Sequence, residues 1–173
     1  DLSLSIDLNI QAILREEINS QIELFEAIGG AGIVQDIKTG EIIAMVSLPD
    51  YDANHIGYIA DDHRFNRAAK GLYELGSTFK VINTAMALES GVYAETDMID
   101  VVSTLRVGRH IIGDYHPEKT NLNVSEVLIV SSNKGSARIA DAMGADIQKH
   151  YLNQLGLFEK TSLEIPELGA PLL

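Results

Sequence analysis

The chain has no cysteine among its 173 residues. Disulfides and thiolate-bound metals are therefore excluded. Basic residues are scarce, 13 Lys and Arg against 25 Asp and Glu, for a formal net charge of -12. Such a balance repels polyanions and argues against nucleic acid or an anionic membrane surface as an electrostatic partner. The 5 histidines never recur at an H-x-x-x-H or similar spacing, so no metal centre is expected. No apolar run approaches the roughly 18 residues of a membrane span. The opening "DLSLSIDLNI" has no basic segment of the kind that begins a signal peptide. Repeats, low-complexity blocks and linkers are also lacking.

What is present is an ordinary globular composition, 46% apolar, long enough for one domain with a sizeable core. The chain opens on an alternating pattern and ends on "EIPELGAPLL", so both ends read as cuts through a longer protein. "LSLSID" alternates at period two and predicts a short strand. Asp7 then caps a helix whose apolar face is Ile10, Ile13, Leu14, Ile18, Ile22 and Phe25, stopped by Gly29-Gly30. Two β-branched runs flank Lys38-Thr39-Gly40, which predicts a hairpin. A loop follows from Pro49. A helix runs from Ser77 to about Ser90 and ends at Gly91. Short strands are expected within "MIDVVSTLRVGRHIIGDYHP". Three further helices follow, "VSEVLIVSSN", "SARIADAMG" ending at Gly144, and "IQKHYLNQLGL" ending at Gly156. A single hairpin is marginal alone, so helices or further strands must cover it.

The stretch "YELGSTFKVINTAMALESG" places Ser77 and Lys80 at the head of an apolar helix. Gly76 permits a tight entry, and the first turn offers free N–H groups and the positive end of the helix dipole. Lys80, three residues on, shares a face with Ser77. A desolvated lysine loses its proton more readily, and a serine beside such a base becomes a nucleophile. The bland alternative is a capping serine and a solvated lysine. S-x-x-K occurs twice here, at Ser77–Lys80 and Ser131–Lys134, so the tetrapeptide alone decides little.

The context of these residues resembles the penicillin-binding proteins. "ELGSTFK" is similar to the active-serine segment E-P-G-S-x-x-K of that family, with Leu75 in the place of proline. "SSNKG" is similar to the S-x-N element, with Ser131 and Asn133 in its fixed places. "AGIVQDIKTGEIIAMVSLPDYDAN" resembles the opening hairpin of the transpeptidase domain, "FNRAAKGLYELGS" the approach to the serine, and "YLNQLGLFEKTSLEIPE" the segment after the S-x-N helices. The resemblance spans nearly the whole chain and is nearest to class B, division-type transpeptidases. It implies an α/β (mixed) fold of the penicillin-binding-protein/β-lactamase type: three layers, helices around an antiparallel sheet. Residues 1–173 would form part of one transpeptidase domain, ending before the later strands, with no second domain.

The resemblance also assigns roles. Ser77 is the expected acylated nucleophile and Lys80 its general base. Ser131 is expected to relay a proton toward the leaving amine; the alternative is a hydroxyl bonded to a helix carbonyl. Asn133 is expected to donate its amide to the substrate carbonyl; the alternative is a left-handed helix C-cap. Two look-alikes are set aside. Lys38-Thr39-Gly40 precedes Ser77 and reads as turn chemistry, whereas the family's K-T-G follows S-x-N. "EIPELG" lacks the asparagine of a β-lactamase E-x-E-L-N loop, so Glu164 and Glu167 read as solvated loop carboxylates. Arg67 and Glu74 are expected to pair locally at the surface, and Tyr51, Tyr58 and Tyr73 to pack.

The implied activity is peptidoglycan D,D-transpeptidation on D-Ala-D-Ala stem peptides, with β-lactams trapping Ser77 and no cofactor. Division and cell-wall synthesis proteins are the implied partners. The implied place is the periplasmic face of the bacterial inner membrane, reached through a membrane segment outside this chain. Residues 1–173 alone are expected to be impaired, with Lys80 solvated and protonated, and to self-associate through an exposed strand edge. The rival readings are a β-lactamase or β-lactam-sensor domain, and a non-catalytic binding or scaffold module.

Overall fold

The computed structural model describes residues 3–171 except 56. The described residues form two compact units. One lies within Asp1–Leu72 and Lys160–Ala170, the other within Tyr73–Glu159 and Pro171–Leu173. Among the described residues no helix is long and apolar enough to cross a membrane.

In the first unit Asp7 accepts from the N–H groups of Asn9 (2.8 Å) and Ile10 (3.0 Å) and starts helix α1, Leu8–Phe25. The inner face is narrower than the sequence predicts. Leu14, Ile18 and Ile22 are half-buried, whereas Ile13 and Phe25 are largely exposed. The helix ends at Glu26, which adopts a left-handed φ of 51°, before the two glycines are reached. Those glycines have other work. Strands β1 (Gly30–Gln35) and β2 (Ile42–Leu48) form an antiparallel pair whose inner face is Gly30, Gly32 and Val34 opposite Leu48, Val46 and Ala44. A Cβ on Gly32 would lie 2.7 Å from Ile18 and 3.1 Å from Leu14, so glycine here lets α1 lie directly on the strand. Helix α1 thus supplies the cover that a lone hairpin needs.

"LSLSID" does not form the predicted strand over its described residues, 3–7; Leu2 lies outside them. Asp7 instead donates one N–H to the Ile43 carbonyl (2.9 Å) and Ser5 donates its hydroxyl to the Ile42 carbonyl (2.6 Å). Gln11 of α1 both donates to the Met45 carbonyl (2.7 Å) and accepts from its N–H (2.8 Å). The outer edge of β2 is therefore occupied rather than bare at these residues, which removes much of its appeal as a template for another strand. After β2, short helices α2 (Asp61–Arg64) and α3 (Arg67–Lys70) follow a loop, and Gly169 donates its N–H to the Ala69 carbonyl (3.0 Å).

The second unit opens with a single 3-10 turn, Gly76–Thr78, that runs into α4, Phe79–Glu89, closed by Ser90 and by Gly91 at φ 69°. Two-residue strands β3 (Met98–Ile99) and β6 (Leu122–Asn123) pair, and β4 (Leu105–Val107) pairs with β5 (His110–Ile112). Asn123 and Glu126 form a capping box that starts α5, Val124–Ile129. Helix α6, Asn133–Gln154, begins three residues earlier than the sequence suggests, under a Ser132 cap. Its first helical segment stops at Gly144 as expected, where φ is 73° and ψ 171°, and a second segment follows across this kink to Gln154. The Gln148 amide donates to the Ala140 (2.8 Å) and Gly144 (3.1 Å) carbonyls at this break. The core joins Met86 and Ala87 of α4, Ile99, Val101 and Leu122, Val124 and Val127 of α5, and Ile139 and Met143 of α6. It is this core that brings the start of α4 beside the α5–α6 junction.

Candidate active site

Helix α4 has no side-chain cap, and Ser77 lies in the 3-10 turn before it with its side chain exposed. Ser77 is therefore not an N-cap, which removes the bland reading of its position. The turn is entered through Gly76 at φ 59°, a conformation that a side chain would strain.

Facing this turn is the junction of α5 and α6. Ser131 there is one of two non-glycine residues with positive φ among the described residues, at 55°. Its N–H donates to the Leu128 carbonyl (3.1 Å), and Ser132 N–H donates to that of Val127 (3.0 Å), so the end of α5 fixes the turn. Asn133, expected as an alternative to be a left-handed C-cap, is instead the first residue of α6; the left-handed residue is Ser131. Held this way, Ser131 presents both its carbonyl and its hydroxyl to one side.

Lys80 fills that side. Its Nζ donates to the Ser131 carbonyl (2.6 Å), the Ser131 hydroxyl (3.0 Å) and Oδ1 of Asn133 (2.6 Å). These acceptors use all three N–H bonds of the ammonium. The Ser131 hydroxyl in turn donates to the Ser77 hydroxyl at 3.0 Å. The four residues singled out in the sequence thus meet in one unit, and Lys80 is joined to Ser77 through Ser131. Lys80 is half-buried rather than solvated. Burial lowers its pKa below the usual lysine range, and the negative charge of Asp114 opposes that shift. These bonds run from the ammonium outward; with Lys80 neutral and the two hydroxyls turned about, the same series can pass a proton from Ser77 through Ser131 to the partly desolvated amine.

Sequence reasoning missed three contributors. Asp114 accepts from the N–H groups at the start of α6 and from Ser132. The Gly113 carbonyl accepts from the Asn133 amide at 3.0 Å. Asn83, buried one turn beyond Lys80, donates to the Ser136 carbonyl (2.9 Å) and hydroxyl (3.0 Å), tying α4 to α6. A polar residue three positions after Lys80 in an apolar helix was a visible signal. No spacing rule links the loop at Asp114 to Ser132. Lys80, Asn83, Asn133 and Ser136 border a cleft of about 330 Å³ that also reaches Phe79 and Ile112.

The residues set aside behave variously. Lys38-Thr39-Gly40 is turn structure: Asp36 accepts from the N–H groups of Lys38 (2.7 Å) and Thr39 (3.0 Å), and Gly40 takes φ 79°. Glu164 is exposed and Glu167 half-buried, both in irregular chain. Arg67 pairs with Asp62 at 2.5 Å as expected, but its side chain is only 11% exposed and not a surface group. Tyr51, Tyr58 and Tyr73, expected to pack, are exposed.

A family model described as "Penicillin binding protein transpeptidase domain" matches residues 30–170. The chain is 41% identical over 169 residues to the probable peptidoglycan D,D-transpeptidase FtsI of Caulobacter vibrioides, covering 98% of this chain and 29% of that protein. It is 31% identical over 163 residues to the peptidoglycan D,D-transpeptidase FtsI of Escherichia coli K12, covering 94% of this chain and 27% of that one. It therefore spans less than a third of the length of either curated relative. Among solved structures, the apo TP domain of Burkholderia pseudomallei penicillin-binding protein 3 aligns at a TM-score of 0.82 and 26% identity, covering 98% of this chain and 47% of that one. A peptidoglycan glycosyltransferase from Burkholderia ambifaria aligns at 0.83 and 27%, covering 99% and 50%. The mixed α/β fold class expected from the resemblance is the class found. The chain belongs to the penicillin-binding protein transpeptidase domain family.

Proposed function

We propose that this chain carries the nucleophile half of a peptidoglycan D,D-transpeptidase site, with Ser77 as the residue acylated by substrate and by β-lactams. The observation that carries the reading is the hydrogen-bonded series Lys80–Ser131–Ser77 at the mouth of an uncapped helix. Neutral Lys80 draws a proton through the Ser131 hydroxyl as Ser77 Oγ bonds to the carbonyl carbon of a D-Ala-D-Ala peptide. The oxyanion that forms sits toward the Ser77 N–H, one of two donors such a site requires. The proton returns through Ser131 to the departing D-alanine nitrogen as the C–N bond breaks. An amine of a neighbouring stem peptide then attacks the ester, loses a proton by the same route, and frees Ser77. Asn133 keeps one amide N–H beyond its bond to Gly113 for the substrate's peptide carbonyl. The proposal extends to cell-wall and division proteins as partners, and to the periplasmic face of the inner membrane as the place of work.

The Ser131 relay has its own test. Ser131→Ala removes the hydroxyl and keeps a side chain in the left-handed region; Ser131→Gly removes the hydroxyl and relieves that conformation, worth about 1–2 kcal/mol. Both are expected to slow acylation by a fluorescent penicillin about 10²–10⁴-fold, while thermal melting ranks the glycine variant above the alanine one. A glycine variant that labels at the wild-type rate would reduce Ser131 to a conformational role.

Residues 1–173 by themselves are expected to acylate slowly. Lys38–Gly40 is turn structure, and no K-T-G follows Ser131 within them. Such a strand is assigned the second oxyanion donor and the contact to the substrate carboxylate. Loss of one oxyanion donor costs about 10²–10³ in rate. Intact-mass time courses comparing residues 1–173 with a protein extended through such a strand measure this, and equal rates would contradict it.

A further inference from the structure

We propose that Asp114 is a positioning residue of this site, whose carboxylate locks the start of α6 so that Ser131 and Asn133 meet Lys80, and whose charge acts on Lys80 in turn. The inference rests on the proposed function and adds a residue to it. A helix start leaves four N–H groups without intrahelical partners. In α6 the Ser132 N–H donates to the Val127 carbonyl (3.0 Å) and the Gly135 N–H to the Ser132 hydroxyl (2.9 Å). The other two, on Asn133 and Lys134, both go to Oδ1 of Asp114, that of Lys134 at 3.0 Å. Oδ2 of Asp114 accepts from the Ser132 hydroxyl at 2.9 Å, so the cap residue is itself held. Ser132 is buried, at 2% exposure, and cannot turn to water for a substitute.

The same corner of chain fixes the Asn133 side chain. Gly113, next to Asp114, accepts from Nδ2 of Asn133, which aims Oδ1 at the Lys80 ammonium. The β4–β5 hairpin carries this corner, since β5 ends at Ile112. One loop therefore sets the backbone and the amide of Asn133, and through Ser132 the neighbouring Ser131.

Asp114 is the charged group whose field raises the Lys80 pKa against burial, and several of its charged neighbours are engaged elsewhere. On α6, Lys134 Nζ donates to the Val102 carbonyl (3.3 Å) and Arg138 pairs with Asp100 (3.2 Å). On α5, Glu126 is held in the capping box, and on α4 Glu89 lies at the far end from Lys80. Removing the Asp114 charge while keeping its shape should therefore lower the Lys80 pKa further. The neutral fraction of Lys80 then rises at any given pH, and the acid limb of the acylation profile moves to lower pH.

The experiment measures acylation by a fluorescent penicillin against pH in the protein that carries this chain, as wild type, Ser77→Ala, Asp114→Asn and Asp114→Ala. Asn at 114 can still accept from both N–H groups and donate to Ser132. Its acid limb is expected to lie below that of wild type. Asp114→Ala, which loses all three bonds, is expected to slow acylation about 10²-fold, the penalty of a misplaced catalytic group. A coincident acid limb in Asp114→Asn overturns the proposal, as does a rate within twofold of wild type in Asp114→Ala. Should the alanine variant fail to fold, the asparagine profile decides alone. Failure of the underlying function looks different: wild type itself then takes no more label than Ser77→Ala.

Discussion

Ser77→Ala is expected to abolish covalent labelling by penicillin, below detection at times when wild type is fully labelled. The bond that would form runs from the β-lactam carbonyl carbon to the Ser77 oxygen, and alanine offers no atom for it. The effect is chemical rather than structural. Ser77 is exposed and gives the Ser131 hydroxyl a 3.0 Å acceptor. Loss of such a contact at an exposed site changes stability by about 0.5 kcal/mol or less. Melting and labelling, measured on the same sample, separate the two. Normal melting with no label is the expected pair. Normal labelling would assign the nucleophile elsewhere and leave "GSTFK" as a helix start.

The second large effect is expected at Lys80. Lys80→Met should slow acylation about 10³–10⁴-fold, near the upper end of what a positioned base contributes. Lys80→Arg sharpens the point, because a guanidinium keeps the positive charge and its donors but cannot give up its proton at working pH. If Lys80 acts as a base, the arginine variant is as slow as the methionine one; if it acts as a fixed cation, the arginine variant stays within tenfold of wild type. The sign of the pH dependence follows from burial. A lysine pKa held below the usual range raises the neutral fraction at a given pH. The acylation rate of wild type should therefore climb with pH and level off below the pH at which an ordinary solvated lysine would titrate.

Local chemistry was the readable part of the sequence. Asp7 as a cap, the hairpin around Lys38–Gly40 and the stop after Ser90 each depend on residues within a few positions of one another. The placing of Ser77 and Lys80 at one helix start was also legible, but their link through Ser131 was not. Errors arose where a partner far along the chain decides the outcome. "LSLSID" has the alternation of a strand, but the carbonyls of Ile42 and Ile43 are met by Ser5 and Asp7 and both polar groups of Met45 by Gln11. Gly30, which looked like a helix breaker, is with Gly32 a close-approach residue under Ile18. Ser131 and Asn133 could be named from a motif. Their convergence on Lys80 depends on the packing of α4, α5 and α6. Asp114 carries no local mark of its role, since the N–H groups it serves belong to another element.

The central claim is that Ser77 forms the acyl-enzyme, and one measurement addresses it directly. The protein that carries this chain is treated with benzylpenicillin, quenched, weighed intact, digested with trypsin and sequenced by tandem mass spectrometry. Ring opening transfers the whole drug without a leaving group, so the adduct carries the full mass of penicillin. Trypsin cuts after Lys70 and Lys80 and releases "GLYELGSTFK", whose hydroxyls are Tyr73, Ser77 and Thr78. The account predicts one adduct per chain, on Ser77 within that peptide. An adduct on another residue, or none under conditions where the protein is folded, would contradict it.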